Sequence, residues 1–296
     1  MVLVLALLGG SAAAFAVTEG LKLEKSPITD TEVDKVVAPD SATSAIATIS
    51  FVLRKPDHLT VEIVNGNGDV IRTLARSRPA GRGSQSFHWN GRDDQGQVVA
   101  DGSYRPRVHL AREHRTIGLP NVIRMDATPP LITLVSATPH AFSPDGDFRR
   151  EYVRIRYRTS EKAHAILYVD GESRGTVKAA VRKGKIDWRG RGFGPGPHRL
   201  RLRAIDVAGN LSNPTRAVVV RIRYIDVRPK ALHVKSGKRI SVRVQTDAKR
   251  YSWHLGPRGA VARRRVLTLK AGAPGTYRLV VAANGHVSRA VVVVSP

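Results

Sequence analysis

The sequence predicts an all-β protein made of tandem β-sandwiches that follow an N-terminal apolar segment. Short runs with an apolar residue at every second position recur along the chain, and turn-forming Gly, Asn, Asp or Pro residues bound them. Aromatic residues make up only 5% and cysteine is absent, so each unit must rest on an aliphatic core. The 296 residues are enough for two or three sandwiches of about 100 residues each.

The first 17 residues contain no charged side chain. The apolar stretch Val2–Leu8 is followed by small residues and by Ala14-Phe15-Ala16, a pattern typical of a secretory signal peptide cleaved after Ala16. An uncleaved membrane anchor is the alternative, because about 17 apolar residues is the lower limit for spanning a bilayer. Either route predicts export to the cell surface or the extracellular space. Residues 18–43 are polar and predict a linker, with a first edge strand around Thr31–Val37.

The first sandwich is predicted over residues 44–126. Ala45–Leu53 and Leu59–Val64 alternate as strands, and Asn65–Gly68 predicts a hairpin turn before the return strand Val70–Leu74. Further strands around a downstream Trp and Tyr bring the number to about seven. That number is typical of an immunoglobulin-like sandwich.

Between Phe87 and Val108 the pattern is strand, turn, turn, strand. Asn90-Gly91 and Asp101-Gly102 are dipeptides that favour positive φ in a chain reversal. The spacing resembles that of the immunoglobulin-like domain of the flagellar hook-capping protein (FlgD type), a module of exported bacterial proteins. The residues that match are Trp89, Gly91, Asp93, Gly96, Gly102 and Tyr104. The resemblance implies a structural role for these six residues; the family's usual Pro is Ala100 here.

A second immunoglobulin-like or fibronectin-like sandwich is predicted over residues 128–224. Pro129-Pro130 stiffens the junction before it, because proline fixes φ. Tyr152–Arg158 and Ala163–Val169 predict two separate strands, and Asp187–Gly190 repeats the tryptophan turn.

A third, smaller sandwich is predicted over residues 225–296. Trp253 is followed by Gly275 and Tyr277, so Trp, then Gly, then an aromatic residue or His occurs three times along the chain. We interpret the three units as diverged copies of one module rather than as a repeat of fixed period.

Positive charge is concentrated in the last two units. The formal net charge is +1 over residues 1–127, +11 over 128–224 and +13 over 225–296. Arginines at every second position predict basic strand faces that would bind phosphate if the strands were neighbours, namely Arg154, Arg156, Arg158, Arg199, Arg201 and Arg203. Arg263–Arg265 adds a basic loop. The alternative interpretation is an ordinary solvated face.

Asp145 and Asp147 form an Asp-x-Asp pair that is a candidate calcium site, although ordinary turn chemistry explains such a pair equally directly. The chain has no nucleophile elbow, phosphate loop or dinucleotide fingerprint. We therefore predict no enzymatic activity, no cofactor and no small-molecule substrate.

The function predicted from sequence is a structural, adhesion or assembly module of the cell envelope. Its basic units would contact other envelope proteins or anionic wall and lipid polymers. Two alternatives remain. One is a flagellar hook-assembly scaffold, and the other is a secreted binder of polyanions or nucleic acid. Specific nucleic-acid recognition is disfavoured, because aromatic stacking platforms are lacking in the sequence.

Overall fold

The structure is a computed structural model that describes residues 25–296. Every regular element in this range is a strand, which confirms the all-β prediction. The same residues contain no helix that is long and apolar enough to cross a bilayer. The apolar export segment predicted at residues 1–17 lies outside the described residues. The chain divides into two compact units. The first ends at Thr128 and also includes the short segment Ala208–Asn210, and the second comprises Pro129–Val207 and Leu211–Pro296.

The described part of the first unit forms a two-sheet sandwich. Its strands are β1 (Ile28–Val33), β2 (Val36–Val37), β3 (Ala47–Leu53), β4 (Asp57–Val64), β5 (Val70–Ala80), β6 (Gly83–Trp89), β7 (Gly102–Leu110), β8 (Arg115–Gly118) and β9 (Ile123–Met125). One sheet has the order β1-β3-β6, and the other has the order β2-β9-β7-β4-β5 with β8 beside β7. Leu59, Val61 and Ile63 alternate along β4 and are fully buried, so the strand presents one face to the core.

Residues 28–37 lie in the segment predicted as a linker, in which the sequence also indicated a first edge strand around Thr31–Val37. They form β1 and β2, which pair with β3 and β9 respectively. Ile28, Val33 and Val37 belong to the core of the first unit. The segment has few apolar residues, which is typical of a linker. The three that it has are spaced so that each side chain packs in the core.

The second unit contains two hydrophobic cores, one for each predicted sandwich. Strands around the first core are β10 (Ile132–Thr138), β11 (Ala141–Phe142), β12 (Val153–Val169), β13 (Glu172–Thr176), β14 (Val181–Trp188), β15 (Gly196–Asp206) and β16 (Val218–Ile222). Strands around the second core are β17 (Ile225–Arg228), β18 (Ala231–Lys235), β19 (Arg239–Thr246), β20 (Tyr251–Leu255), β21 (Arg258–Ala262), β22 (Val266–Lys270), β23 (Gly275–Ala283) and β24 (His286–Ser295).

All three cores are enclosed by the same topology. The short sheets are β1-β3-β6 and β17-β19-β22, and the longer ones run β2-β9-β7-β4-β5 and β18-β24-β23-β20-β21. In the middle sandwich the equivalent arrangements, β10-β12-β14 and β11-β16-β15-β12-β13, share β12 and so form one seven-stranded sheet. In each longer sheet the first strand pairs with its neighbour in parallel: β2 with β9, β11 with β16, and β18 with β24. Only β8 has no counterpart among the described residues of the later sandwiches.

Strand β12 corrects the sequence prediction, which separated Tyr152–Arg158 from Ala163–Val169. The structure has one strand of 17 residues. Its first half pairs with β10 and β14, and its second half pairs with β13 and β15, so it serves both sheets. The connecting residues 159–162 contain neither Gly nor Pro, and the Thr159 hydroxyl lies 2.6 Å from the backbone oxygen of Glu161 and 2.9 Å from that of Val181, either of which can accept its proton. Without a turn-forming residue the extended backbone continues.

Candidate anion-binding surface

Trp89 and Tyr104 of the FlgD-type motif are packed inside the first unit. Trp89 is 1% exposed, and its Nε1 donates to the backbone oxygen of Arg92 at 2.9 Å. The Trp89 and Tyr104 rings lie 5.2 Å apart, and the Tyr104 hydroxyl donates to the backbone oxygen of Ala100 at 2.8 Å. Both side chains thus join the core to a nearby turn.

The other four motif residues shape the backbone. A Cβ at Gly91, where φ is 72°, would lie 2.9 Å from the sulfur of Met125. Asp93 Oδ1 accepts two backbone N–H groups of its own turn, at 2.9 and 2.8 Å. Gly96 has a φ of 80°, and Gly102 begins β7. The contacts of all six motif residues are therefore those of turns and core.

The carboxylates of Asp145, Asp147 and Glu151 lie within 4.8 Å of one another. Asn284 Nδ2 donates to Oδ2 of Asp145 and to Oδ2 of Asp147, each at 3.1 Å. Burial raises the pKa of Asp145, and the nearby charges of Asp147 and Asp247 raise it further, while the bond from Asn284 opposes the shift. The amide of Asn284 thus bridges one oxygen of Asp145 and one of Asp147, while Glu151 accepts a hydrogen bond from the backbone N–H of Phe148.

The predicted basic face on β12 has a second row of cations beside it. Arg156 lies directly opposite Lys185 on β14, and Arg158 lies directly opposite Lys183. All four side chains are exposed. Residues paired in this way have Cβ atoms about 4.5–5.5 Å apart. We call these four residues the β12–β14 basic surface.

Arg154 differs from the other two arginines of its strand. Its guanidinium donates to both carboxylate oxygens of Asp187 at 2.8 Å and lies 5.3 Å from the centre of the Tyr152 ring. This hydrogen bond lowers the pKa of Asp187. Since its charge is already balanced, Arg154 borders the basic surface without adding a free cation.

Strands β12 and β15 are neighbours, as one shared ladder would require, but the arginines of β15 do not extend this surface. Arg201 and Arg203 lie opposite Tyr168 and Ile166, on the second half of β12. Eight positions separate Ile166 from Arg158, which is about 26 Å along a strand. Arg203 also donates to the backbone oxygen of Ser212 at 2.7 Å, and Arg199 is exposed beside Asp170. The two sets of arginines are separated because β12 is long and its two halves pair with different strands.

Strand β10 adds hydroxyl groups on the other side of the arginines. Ser136 is paired with Arg156, and Thr133 is paired with Arg158. A row of hydroxyls, a row of guanidinium groups and a row of ammonium groups thus run side by side. Such donors suit the oxygens of phosphate or carboxylate groups. Sequence reasoning missed Lys183 and Lys185, although their alternation with Gly184 and Ile186 could have indicated a basic strand face.

A cleft of about 450 Å³ in the second unit is lined by an acid and an imidazole. The acid, Asp226, accepts hydrogen bonds from Arg228 and Lys230 at 2.7 and 2.6 Å. The imidazole of His286 stacks on the Tyr224 ring with the two centres 3.6 Å apart. Both groups are therefore engaged in contacts that stabilise the wall of the cleft.

Residues 37–113 match the sequence model of the FlgD Ig-like domain. This confirms the FlgD-type immunoglobulin-like domain that the tryptophan–tyrosine motif predicts. No curated protein matches the sequence.

Several solved structures resemble the chain. E. coli alpha-2-macroglobulin matches with a TM-score of 0.27 and 10% identity over 91% of this chain, which spans 22% of that protein. A 1.5-MDa bacterial ice-binding adhesin matches with a TM-score of 0.32 and 13% identity, over 91% of this chain and 97% of the solved chain. FlgD from P. aeruginosa matches with a TM-score of 0.25 and 21% identity, over 39% of this chain and 84% of that one.

Proposed function

We propose that this chain is a non-enzymatic, exported protein of the cell envelope, in which Ig-like sandwiches act as a structural or adhesion module. Its basic surfaces bind anionic envelope polymers. The FlgD Ig-like domain supports the modular part of this proposal. The net charge of +25, concentrated after residue 127, supports the choice of a polyanionic partner.

The β12–β14 basic surface is the observation that carries the polymer-binding part. Like charges directly opposite each other destabilise a β-sheet. The same chain places opposite charges across strands elsewhere, since Arg107 on β7 donates to Glu62 on β4 at 2.8 Å. Two like-charged pairs side by side are therefore unfavourable for the free protein. An anionic polymer lying along the strands would supply the missing countercharge.

Binding to poly(glycerol phosphate), measured by titration calorimetry, tests this proposal. Charge reversal at Arg156→Glu and Arg158→Glu together should weaken binding by about tenfold or more, equivalent to about 1.4 kcal/mol or more. Raising the salt from about 0.05 to about 0.5 M should weaken binding to the parent protein as well.

A matched control is available in the first unit. Arg76 and Arg82 are exposed arginines, and their reversal to Glu changes the net charge by the same amount. We expect the control protein to retain most of the affinity. Equal losses in the two double variants would mean that net charge alone drives binding. Undetectable binding of the parent protein at low salt would rule out the polymer.

A flagellar hook-assembly scaffold is a second candidate, favoured by the FlgD Ig-like match. Deleting the gene in the source organism separates the two proposals. A scaffold predicts cells that lack hooks, whereas an envelope module predicts normal hooks and altered envelope adhesion. Cell fractionation tests export in the same strains.

A further inference from the structure

A loop of the second unit holds a phenylalanine ring out into solvent. Phe148, between β11 and β12, is 97% exposed. Its φ is 64° and that of Arg150 is 48°, values that bulky residues rarely adopt. The Phe148 N–H donates to the Glu151 carboxylate at 3.0 Å, and the Arg149 N–H donates to Asp147 at 2.8 Å. The ring is thus presented outward by an ordered loop.

Cations surround the base of this loop. Arg149 lines an open cleft of about 600 Å³ together with cationic side chains from the turns after β19 and β21, which are Lys249, Arg250, Arg263 and Arg265. All five are exposed. Within residues 25–296, the ion pairs involve none of them. The acidic residues of the loop are less exposed and accept the hydrogen bonds that shape it.

An exposed aromatic ring and unpaired cations suit the same kind of surface. Water is an unfavourable environment for an isolated apolar ring, and five neighbouring cations repel one another. A bilayer with anionic lipids relieves both, because the ring enters the interface while Arg and Lys bind headgroup phosphates. A hydrophilic wall polymer would satisfy the cations but would leave the ring in water.

We propose that this loop and cleft dock the protein on an anionic lipid surface, with Phe148 entering the interface and the five cations binding phosphates. The site is separate from the β12–β14 basic surface. Lipid binding itself does not depend on the proposed function. Only the assignment of the lipid surface to the cell envelope rests on it. Vesicle binding by a protein that fractionates with the cytoplasm would refute the location and leave the lipid site standing.

Tryptophan fluorescence of the full chain tests the lipid site. In Phe148→Trp, the emission attributed to the new side chain, taken as the difference from the parent protein, should shift to the blue with phosphatidylglycerol vesicles. Vesicles of phosphatidylcholine alone should give no shift, and high salt should abolish it. The matched control is Leu131→Trp, because Leu131 is 75% exposed in the same unit and lies outside the cleft. Its emission should stay unchanged.

Vesicle co-sedimentation gives an independent measurement that does not need the tryptophan. Phe148→Ala, and separately Arg263→Glu with Arg265→Glu, should each reduce partitioning into phosphatidylglycerol vesicles by about tenfold. Lys183→Glu with Lys185→Glu should leave it within about twofold of the parent value. Residues 1–17 are common to all these proteins, so any binding through them cancels in the comparison.

Three results would overturn the proposal. One is unchanged emission from the Phe148→Trp variant with anionic vesicles, and another is an equal shift in the Leu131→Trp control. The third is a response to single-stranded oligonucleotide without any response to lipid, since an exposed ring beside arginines can also stack on bases.

Discussion

At the scale of single residues, one contact occurs in all three sandwiches. Strands β7, β15 and β23 each begin with Gly, and the third residue of each carries a ring that hydrogen-bonds the backbone oxygen four residues earlier. The pairs are Tyr104 with Ala100, His198 with Gly194, and Tyr277 with Ala273, at 2.8, 2.9 and 2.9 Å. The bond ties the start of each strand to the preceding loop, as tyrosine corners do in immunoglobulin-like domains.

The sequence predicted that a glycine followed by Tyr or His recurs in each sandwich. It did not predict which sheet contains the third tryptophan, Trp253. Trp89 and Trp188 end β6 and β14, which lie in the short sheets. Trp253 lies on β20, in the longer sheet, and pairs with Val281 on β23. A tryptophan upstream of a glycine and a tyrosine fits either arrangement. The strand that carries it depends on pairing between distant segments, which spacing alone cannot reveal.

Replacing Trp89 by Ala should lower the free energy of unfolding by about 3–5 kcal/mol, because its large ring fills the core of the first unit. Tyr104→Phe should cost about 1 kcal/mol, since only the hydrogen bond to Ala100 is lost. Urea denaturation followed by tryptophan fluorescence and circular dichroism measures both. Trp253→Ala is the comparison, because Trp253 is only partly buried. An unchanged unfolding midpoint for Trp89→Ala would contradict a core role.

At the scale of strands, the alternation of apolar and polar residues predicted which side chains face inward. The register between β12 and β14 determines which cations lie opposite one another in the β12–β14 basic surface. Gly184 lies opposite Tyr157, and any Cβ at position 184 would overlap the Tyr157 ring. This contact fixes β14 against β12 so that Lys183 and Lys185 meet arginines. A shift by one residue would turn the lysines to the other face of the sheet. Register of this kind comes from packing and is not visible in either strand alone.

Lys183→Glu with Lys185→Glu should raise stability while weakening binding to poly(glycerol phosphate). Each change turns a like-charged pair across β12 and β14 into an opposite-charged pair, which should add roughly a few tenths of a kcal/mol. Thermal unfolding at low salt measures the gain, and titration calorimetry measures the loss of affinity. The gain should shrink at high salt as the charges are screened.

The control for this pair is Lys183→Gln with Lys185→Gln. It removes the repulsion without adding attraction, so its melting temperature should lie between those of the parent and the Glu variant. A Glu variant that melts below the parent protein would show that the two lysines do not oppose the arginines in solution.

At the scale of the whole molecule, composition predicted the type of fold and the sign of the partner's charge. Short alternating strands can be built only into sheets, so the all-β class followed directly from the sequence. The partner's identity did not follow, because positive charge attracts every polyanion. Phe148 and the cleft beside it favour an anionic lipid surface over other polyanions. The cleft forms because, within the second unit, the turns after β19 and β21 lie beside the loop before β12. This tertiary contact between distant segments cannot be predicted from amino-acid composition.

The balance of charge also predicts how the protein unfolds in acid. Burial alone would raise the pKa of Asp57, but backbone N–H groups of Arg112, His58 and Glu113 hold it below its usual range. The pKa values of Asp170, Asp187 and Asp226 are also lowered. A carboxylate with a lowered pKa in the folded state stabilises the fold above its unfolded pKa. That stabilisation is lost as the pH falls through the folded value.

We therefore expect the free energy of unfolding to fall steeply below about pH 4, where protonation also leaves 49 Lys and Arg side chains with fewer countercharges. Salt should partly restore stability in acid by screening this repulsion. Asp57→Asn should cost about 1–3 kcal/mol at pH 7, because it places an amide group among three N–H donors, and should flatten the acid dependence. Urea titrations at several pH values measure both effects. Equal acid slopes for the variant and the parent would mean that Asp57 contributes no pH-dependent stability, and that the other carboxylates and repulsion among the cations drive acid unfolding.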